Sequence, residues 1–405
     1  MSTLPKTVDP DVQLRSAMVE ALRADGTIRT DRVADALRVV PRHVFAPEVS
    51  LTEAYEPVNA LVTKRDEHGI AVSSVSAAQI QALMLEQADV RPGMRVEEIG
   101  SGGFNAALLA ELVGPAGEVT TVDIDPFVTD RASRFLDEAG YSRVKVVLAD
   151  GSEPVDGGPF DRILVTAGAW DLPPAWIDGL AEGGTITVPL RMRGLTRSIS
   201  FRRDGGRLVS VSAEVCGFVK MQGAGAHDEH LVLPRGTKEV GLRFDELDRP
   251  DVSRLTGVLE TPRVERWTQV TVGSQEPFDS LYLWLASVLP GFGLISVDPE
   301  LDTKTVAPAN RMACPLVVDG DSLAYLALRK IGDDPAVFEF GAHGFGPDGD
   351  RLADLIAEQV GVWTRYHHTG PGPVFTAYPV GTPDDQLPDG PVIDKRHVRL
   401  TITWP

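Results

Sequence analysis

The sequence predicts an α/β protein: a doubly wound parallel sheet with a helical cap before it and an α+β domain after it. From Met94 onward, short apolar strands alternate with helical stretches, the pattern of parallel strands joined by crossover helices. Upstream, residues 9–48 carry apolar side chains at helical spacings. Downstream of Val232–Gly241 the alternation fades and strands and helices are mixed. A chain of 405 residues has room for two or three domains, and its 43% hydrophobic and 24% charged content is that of an ordinary globular protein. The expected domains are a cap over 1–75, a ligand-binding domain over 76–235 and an α+β domain over 236–405.

Each element has its own signal. Val12, Met18, Val19 and Leu22 define the apolar face of a first helix. Thr30 or Asp31 caps a second, which Pro41 ends. The Ser-rich stretch at 73–76 reads as a loop, followed by a helix starting near Ser76 with Ala77, Ile80, Leu83 and Met84 on its apolar face. Strands are expected at Arg95–Ile99, Glu118–Val122, Val144–Leu148, Arg162–Thr166 and Gly184–Pro189. A hairpin turns at Asp204-Gly205-Gly206. Beyond 235, strands are expected around "RWTQVTV", "AVFEFGAHGF" and "HVRLTITW", helices near 278–289 and 348–360, and a Pro/Gly/Asp loop at 371–391.

Charge and cysteine usage narrow the function. With 39 Lys and Arg against 58 Asp and Glu, the net charge is −19, which argues against a nucleic-acid partner because phosphate binding needs a basic face. Two cysteines, Cys216 and Cys314, provide neither a disulfide framework nor a zinc ligand set, so a reducing, cytoplasmic setting is expected. The N-terminus has no apolar secretory core, and the run Leu281–Val297 is too short and too broken by Pro290, Gly291 and Gly293 to span a membrane.

The chemistry gathers at "EEIGSGGFN". Gly100, Gly102 and Gly103 follow a strand and precede a helix, where glycine permits positive φ and close approach of a ligand. Asp123 ends the second strand, where an acid can accept hydrogen bonds from both ribose hydroxyls of an adenosine; alternatively, Asp123 or Asp125 caps the helix after Pro126. Asp150-Gly151 ends the third strand, placed to accept an adenine amino group or to form a plain turn. Glu98, just before the glycines, disfavours a diphosphate, and so an NAD site, and favours the cationic groups of S-adenosylmethionine.

These residues stand within a longer ordered set: "VPRHVFAP", "AYEP", "SSVSAAQIQA", "EEIGSGGFNAALLA", "VTTVDIDP", "VVLADG" and "PFDRILVTAGAWDLPPAWIDGLAEGGTITVPL". In this set the chain resembles the protein-L-isoaspartate O-methyltransferase family. The resemblance implies a class I S-adenosylmethionine-dependent methyltransferase with a Rossmann-like sheet. It implies Ser76 as the active-site serine, which the residues alone also read as a helix N-cap. The cofactor-binding set is then Ser73, Ser74, Val75, Gln81, Glu98, Gly100, Ser101, Gly102, Gly103, Asn105, Asp123, Ile124, Asp150, Gly151 and Thr166.

The chain departs from the family pattern at Ala78, where the family has proline, in a glycine loop shorter by a residue, and in the added residues 236–405. The long tail, with "VCGFVKMQGAGAH" at its joint, is similar to homologues associated with ribosomally made modified peptides of the lanthipeptide, lasso and graspetide kinds. That likeness implies esterification of an aspartate or isoaspartate carboxylate in a precursor peptide, with closure to an aspartimide. The other implied role is repair of isoaspartate in damaged proteins. In either role the partner is a peptide or protein, with the C-terminal domain as its recognition surface, and neither nucleic acid nor membrane is expected. "AHDEH" and "YHH" carry metal-ligand residue types, but on loops, and no metal is expected.

Overall fold

The computed structural model describes residues 9–100, 102–245, 250–302 and 304–405. The chain divides into two compact units. The first holds Met1–Leu190, Thr196–His227 and Arg396–Val398; the second holds Arg191–Leu195, Asp228–Lys395 and Arg399–Pro405.

The first unit opens with α1 (Pro10–Ala24) and α2 (Asp31–Val39). Pro10 sits in the first turn of α1, where its missing N–H costs nothing. Thr30 caps α2, its hydroxyl accepting from Val33 N. A short α3 (Leu51–Ala54) leads to an antiparallel hairpin, β1 (Leu61–Arg65) and β2 (Ala71–Val75). The expected loop at 73–76 is therefore mostly strand. Its turn is shaped by Asp66, whose Oδ1 accepts from His68 N and Ile70 N, and by Gly69 at φ +77°. Helix α4 (Ala78–Ala88) follows, with Ala77 rather than Ser76 at its N-cap and no side-chain cap bond, so the N-cap reading of Ser76 is corrected.

The sheet then runs β3 (Arg95–Ile99), α5 (Phe104–Val113), β4 (Glu118–Asp123), α6 (Pro126–Glu138), β5 (Lys145–Leu148), β6 (Phe160–Val165), α7 (Pro174–Gly179), β7 (Leu180–Met192), β8 (Leu195–Asp204) and β9 (Arg207–Val215). The strand order is β9-β8-β7-β6-β3-β4-β5. Strand β3 lies between β4 and β6, parallel to both, with Val96 opposite Val119 on one side and Arg162 on the other. The chain winds outward through β4 and β5, then returns across β3 to β6. That reversal opens a crevice at the carboxyl end of β3, where open α/β sheets bind ligands.

Helix α5 is apolar on nearly all sides, Glu111 being its one exposed residue, because both faces are covered: Val96 of β3, Leu108 and Leu109 of α5, and Val33 and Leu37 of α2 belong to one buried cluster. The described residues of the expected cap thus share their core with the sheet, and 9–190 and 196–227 lie in a single compact unit.

The second unit carries β10 (Glu229–Val232), β11 (Val240–Asp245), β12 (Val264–Gly273), α8 (Asp279–Val288), β13 (Phe292–Val297), β14 (Cys314–Asp319), β15 (Ser322–Asp333), β16 (Ala336–Phe345) and α9 (Gly349–Tyr366). Seven strands pair antiparallel in the order β10-β11-β13-β14-β15-β16-β12. Ile356, Val360 and Trp363 of α9 are buried in the same cluster as Tyr325, Phe340 and Ala342 of the sheet. The expected loop at 371–391 contains a strand, β17 (Val374–Pro379), and is followed by β18 (Val392–Asp394) and β19 (Val398–Thr403).

Among the described residues, no helix is long and apolar enough to cross a membrane. Cys216 and Cys314 are free thiols, and burial pushes both up to about 12.

Candidate functional site

A pocket of about 90 Å³ opens at the carboxyl ends of β3, β4 and β5. Its floor is the β3–α5 turn. Gly100 sits at φ +99°, and a Cβ there would fall 2.5 Å from Thr166 Oγ1. Thr166 ties the turn to β6: its N–H donates to Ile99 O at 2.7 Å and its hydroxyl to Gly100 O at 2.7 Å. Gly102 lines the pocket beside Ser74 O, at 3.6 Å from where its Cβ would stand. Gly103 lies outside the lining. It caps α5 at φ +79°, where a Cβ would meet the Phe45 ring at 3.0 Å. Ser101 falls outside the described residues.

Glu98 is fully buried in the pocket wall. Asn105 Nδ2 donates to its Oε1 at 2.9 Å, and the Thr121 hydroxyl donates to its Oε2. Burial pushes its carboxyl up to about 7, with the negative Asp123 adding to the rise and the two hydrogen bonds opposing it.

The two readings of the Asp123 region separate cleanly. Asp125 is the cap of α6, its Oδ1 accepting from Phe127 N at 3.0 Å, and it also pairs with Lys64. Asp123 stands at the end of β4 on the pocket wall beside Ile124, its Oδ1 accepting from Asp125 N at 2.9 Å. Asp150 lines the pocket with Gly151 at the end of the third strand. Burial works upward on its carboxyl, but the N–H groups of Ala224 and Ser152, at 2.8 and 2.9 Å, prevail and hold it below the usual carboxylate range.

The opposite wall is built from β2 and the start of α4. Ser73, Ser74, Val75, Ser76 and Gln81 all line the pocket. The Ser73 hydroxyl is tied to Thr63 across the hairpin at 3.0 Å. The Ser76 hydroxyl has no hydrogen-bond partner among the described residues. Its carbonyl is held by Arg42, a wholly buried cation with no carboxylate partner among the described residues. Arg42 Nη2 donates to Ser76 O at 2.8 Å, Nη1 to Gln81 Oε1 at 3.0 Å and Nε to Ala54 O at 2.8 Å, while its guanidinium stacks over the Phe104 ring at 5.0 Å. Burial draws Arg42 down to about 10, so it remains charged at neutral pH.

Sequence reasoning missed Arg42 as a positioning residue, although it lies in the quoted "VPRHVFAP". It also missed the segment Val219–Gln222, which closes the pocket. Gly168 N donates to Val219 O at 2.7 Å and Met221 N to Gly168 O at 3.1 Å. This pairing puts Lys220 on the wall as the sole cation among the described lining residues, against Glu98, Asp123, Asp125 and Asp150. The only hint in the sequence is a lysine inside "GFVKMQ".

The side chains of "AHDEH" disperse: the His227 ring stacks on Trp170 at 3.9 Å, and Glu229 pairs with Arg191 at 2.7 Å. Among the described residues no group of three His, Cys, Asp or Glu is placed to hold a metal ion.

A parallel sheet with a glycine turn at its switch point, a buried acid before that turn and further acids on the next two strand ends define a class I methyltransferase. The comparisons agree. The family model for protein-L-isoaspartate(D-aspartate) O-methyltransferase matches residues 13–225. The chain is 39% identical over 223 residues to the protein-L-isoaspartate O-methyltransferase of Methanopyrus kandleri, covering 52% of this chain and 91% of that one. It is 36% identical over 222 residues to the enzyme of the same name from Hyperthermus butylicus, covering 52% and 89%. A solved structure described as a protein-L-isoaspartate O-methyltransferase superposes with a TM-score of 0.50 at 20% identity, covering 89% of this chain and 96% of that one. The chain belongs to the protein-L-isoaspartate(D-aspartate) O-methyltransferase family, and it is an S-adenosylmethionine-dependent carboxyl O-methyltransferase. The last likeness, at 89% of this chain, reaches beyond residue 235 and is a likeness of fold.

Proposed function

We propose that the protein esterifies an isoaspartyl or aspartyl carboxylate in a peptide or protein, with isoaspartate as the preferred target. The observation that carries this reading is Ser76: a hydroxyl with no partner among the described residues, lining the same pocket as the candidate cofactor residues, its backbone fixed by a buried arginine.

The pocket fits S-adenosylmethionine by its donors and acceptors. Gly100 leaves no room for a side chain, Asp123 and Asp150 offer acceptors to an adenosine, and Glu98 offers a carboxylate to the cationic methionine end. When bound, that cofactor supplies an electrophilic methyl group for transfer to a carboxylate oxygen. The substrate carboxylate, with a pKa near ~4, is already ionised at neutral pH, so no general base is required. Ser76 Oγ–H donates to one carboxylate oxygen and leaves the other free to attack, which makes alignment its contribution. Lys220 draws the carboxylate into a wall otherwise rich in acids. The ester formed is a stronger electrophile than the acid, and the next backbone nitrogen of the substrate closes on it to give a succinimide and methanol.

A second, narrower reading takes a ribosomally made precursor peptide as substrate, with residues 236–405 as its recognition region. It is favoured by the departure at Ala78. One assay separates the two. Short isoaspartyl peptides of unrelated sequence are incubated with S-adenosylmethionine and followed by mass spectrometry. Methyl ester on all of them supports the broad reading, whereas ester confined to one precursor supports the narrow one. In either case Ser76→Ala lowers kcat by about a hundredfold or more while cofactor affinity stays within about twofold. Unchanged turnover in that variant removes Ser76 from the mechanism.

A further inference from the structure

Adjacent residues on a strand face opposite sides of its sheet, and β3 carries two buried glutamates in succession. Glu98 faces the methyl-transfer pocket. Glu97 faces a second cavity, of about 720 Å³, lying wholly within the first unit. That volume is within the range of small-molecule sites. Glu97 is 4% exposed, yet none of the described residues donates a hydrogen bond to its carboxyl group. A carboxylate in that position is costly unless something supplies a donor or a positive charge.

The walls around Glu97 are aromatic and acidic. Trp170 and Trp176 are both buried, and Phe160 and Pro173 extend the apolar surface. Trp176 is fixed by its indole N–H, which donates to Gly151 O at 2.6 Å. Asp171 uses its two oxygens on Leu172 N and His397 N, at 2.8 and 2.7 Å, and still contributes its charge. Glu153 and Asp178 stand at the mouth. Arg396 and His397 are the opposing groups on the lining, and the Arg396 guanidinium donates to Ala224 O at 3.0 Å. Four carboxylates and two buried indoles, one of them already stacked on His227, line this concave site and match a positively charged organic group with an apolar body: the carboxylates provide the counter-charge and the aromatic side chains the apolar surface.

We propose that this cavity is a second ligand site, which takes a small organic cation, an amine or a guanidinium with an apolar body, through an ion pair to Glu97 between aromatic walls. Such a group reaches the site either as a free amine or as the basic side chain of a peptide. Met221 borders both this cavity and the methyl-transfer pocket, so a ligand here touches a residue of the closing segment. The assignment does not depend on which carboxylate the enzyme methylates.

The test is calorimetric titration of the full-length protein, without cofactor, with phenethylamine, 2-phenylethanol and phenylacetate, which share one ring and differ in charge. The amine binds at least tenfold more tightly than the alcohol, and phenylacetate gives no heat. In Glu97→Gln, checked for folding by circular dichroism, the preference for amine over alcohol falls to about one. A parallel titration with the blocked tripeptide Gly-Arg-Gly assigns the source: tighter binding than phenethylamine points to a peptide side chain, and weaker binding to a free amine. Equal affinity for amine and alcohol in the unaltered protein overturns the proposal without reference to any variant. So does a preference that survives in Glu97→Gln.

Discussion

Replacing Glu98 by glutamine tests whether the acid before the glycine turn is kept for the cofactor at the expense of stability. The side chain is fully buried and its carboxyl is pushed from 4.5 up to about 7. At about 1.4 kcal/mol per tenfold change in proton affinity, that rise corresponds to about 3 kcal/mol. Below pH 4.5 the group is protonated whether the chain is folded or unfolded, and nothing is lost. Between pH 4.5 and about 7 the folded protein retains a proton that the unfolded chain releases, so stability falls as pH rises; above pH 7 the full amount is missing. Glutamine keeps the local bonds, since its oxygen accepts from Asn105 and its amide donates to the Thr121 hydroxyl. Glu98→Gln therefore stabilises the cofactor-free protein by up to about 3 kcal/mol at pH 8 and by less than about 1 kcal/mol at pH 5, read from urea midpoints and slopes. The same variant binds S-adenosylmethionine about tenfold or more weakly by calorimetry, having lost a charged partner. A stability difference that is flat with pH, or of opposite sign at pH 8, refutes the reasoning about burial. Unchanged cofactor affinity refutes the assignment of Glu98 to the cationic end.

Arg42→Leu leaves the carbonyls of Ala54 and Ser76 and the amide oxygen of Gln81 without their donor; it lowers stability by about 3 kcal/mol or more and reduces kcat, measured by chemical denaturation and steady-state kinetics. Arg42→Lys recovers only part of both losses, because an ammonium cannot reproduce the three-way fork. Thr30→Ala removes the cap of α2 and the hydroxyl contact to Glu86; it costs about 1 kcal/mol in denaturation while kcat stays unchanged. Gly223→Ala forces a Cβ to within 2.3 Å of Asp150 Oδ2 at φ +71°, and hydrogen exchange of the Ala224 amide accelerates about tenfold or more.

Much of the first unit was legible in the sequence because local and global signals coincide there. Strand β3 and helix α5 are dense apolar runs on either side of glycines, and the β8–β9 hairpin turns at the Asp204-Gly205-Gly206 stretch that marks it. The β1–β2 hairpin was missed because its polar strands show no alternation to read; the pairing is sealed by Thr63 and Ser73 across the strands and by the Asp66 turn. Arg42 was missed for a different reason. Its value lies in acceptors at residues 54, 76 and 81, which only the folded chain brings together. The choice between Asp123 and Asp125 as helix cap was open in the sequence because both precede the same proline-started helix. The backbone decides it by aiming Phe127 N at Asp125.

The segment after Cys216 bears on how the pocket admits a ligand. Its enclosed volume, about 90 Å³, is well below the about 300 Å³ at which ligand sites begin. Beside the pocket, Gly223 packs against Asp150 and Ile124, and Ala224 N donates to the Asp150 carboxylate. An adenine bound to Asp150 would compete with Ala224 N for that acceptor. An N–H from Ala224 and an N–H from adenine are similar donors, so exchanging one for the other would change the hydrogen-bond count little. Arg396 holds the Ala224 carbonyl from the far side, and Gly168 holds Val219 and Met221. The segment is thus held at Val219 and Met221 by Gly168, and at Ala224 by Asp150 on one side and Arg396 on the other.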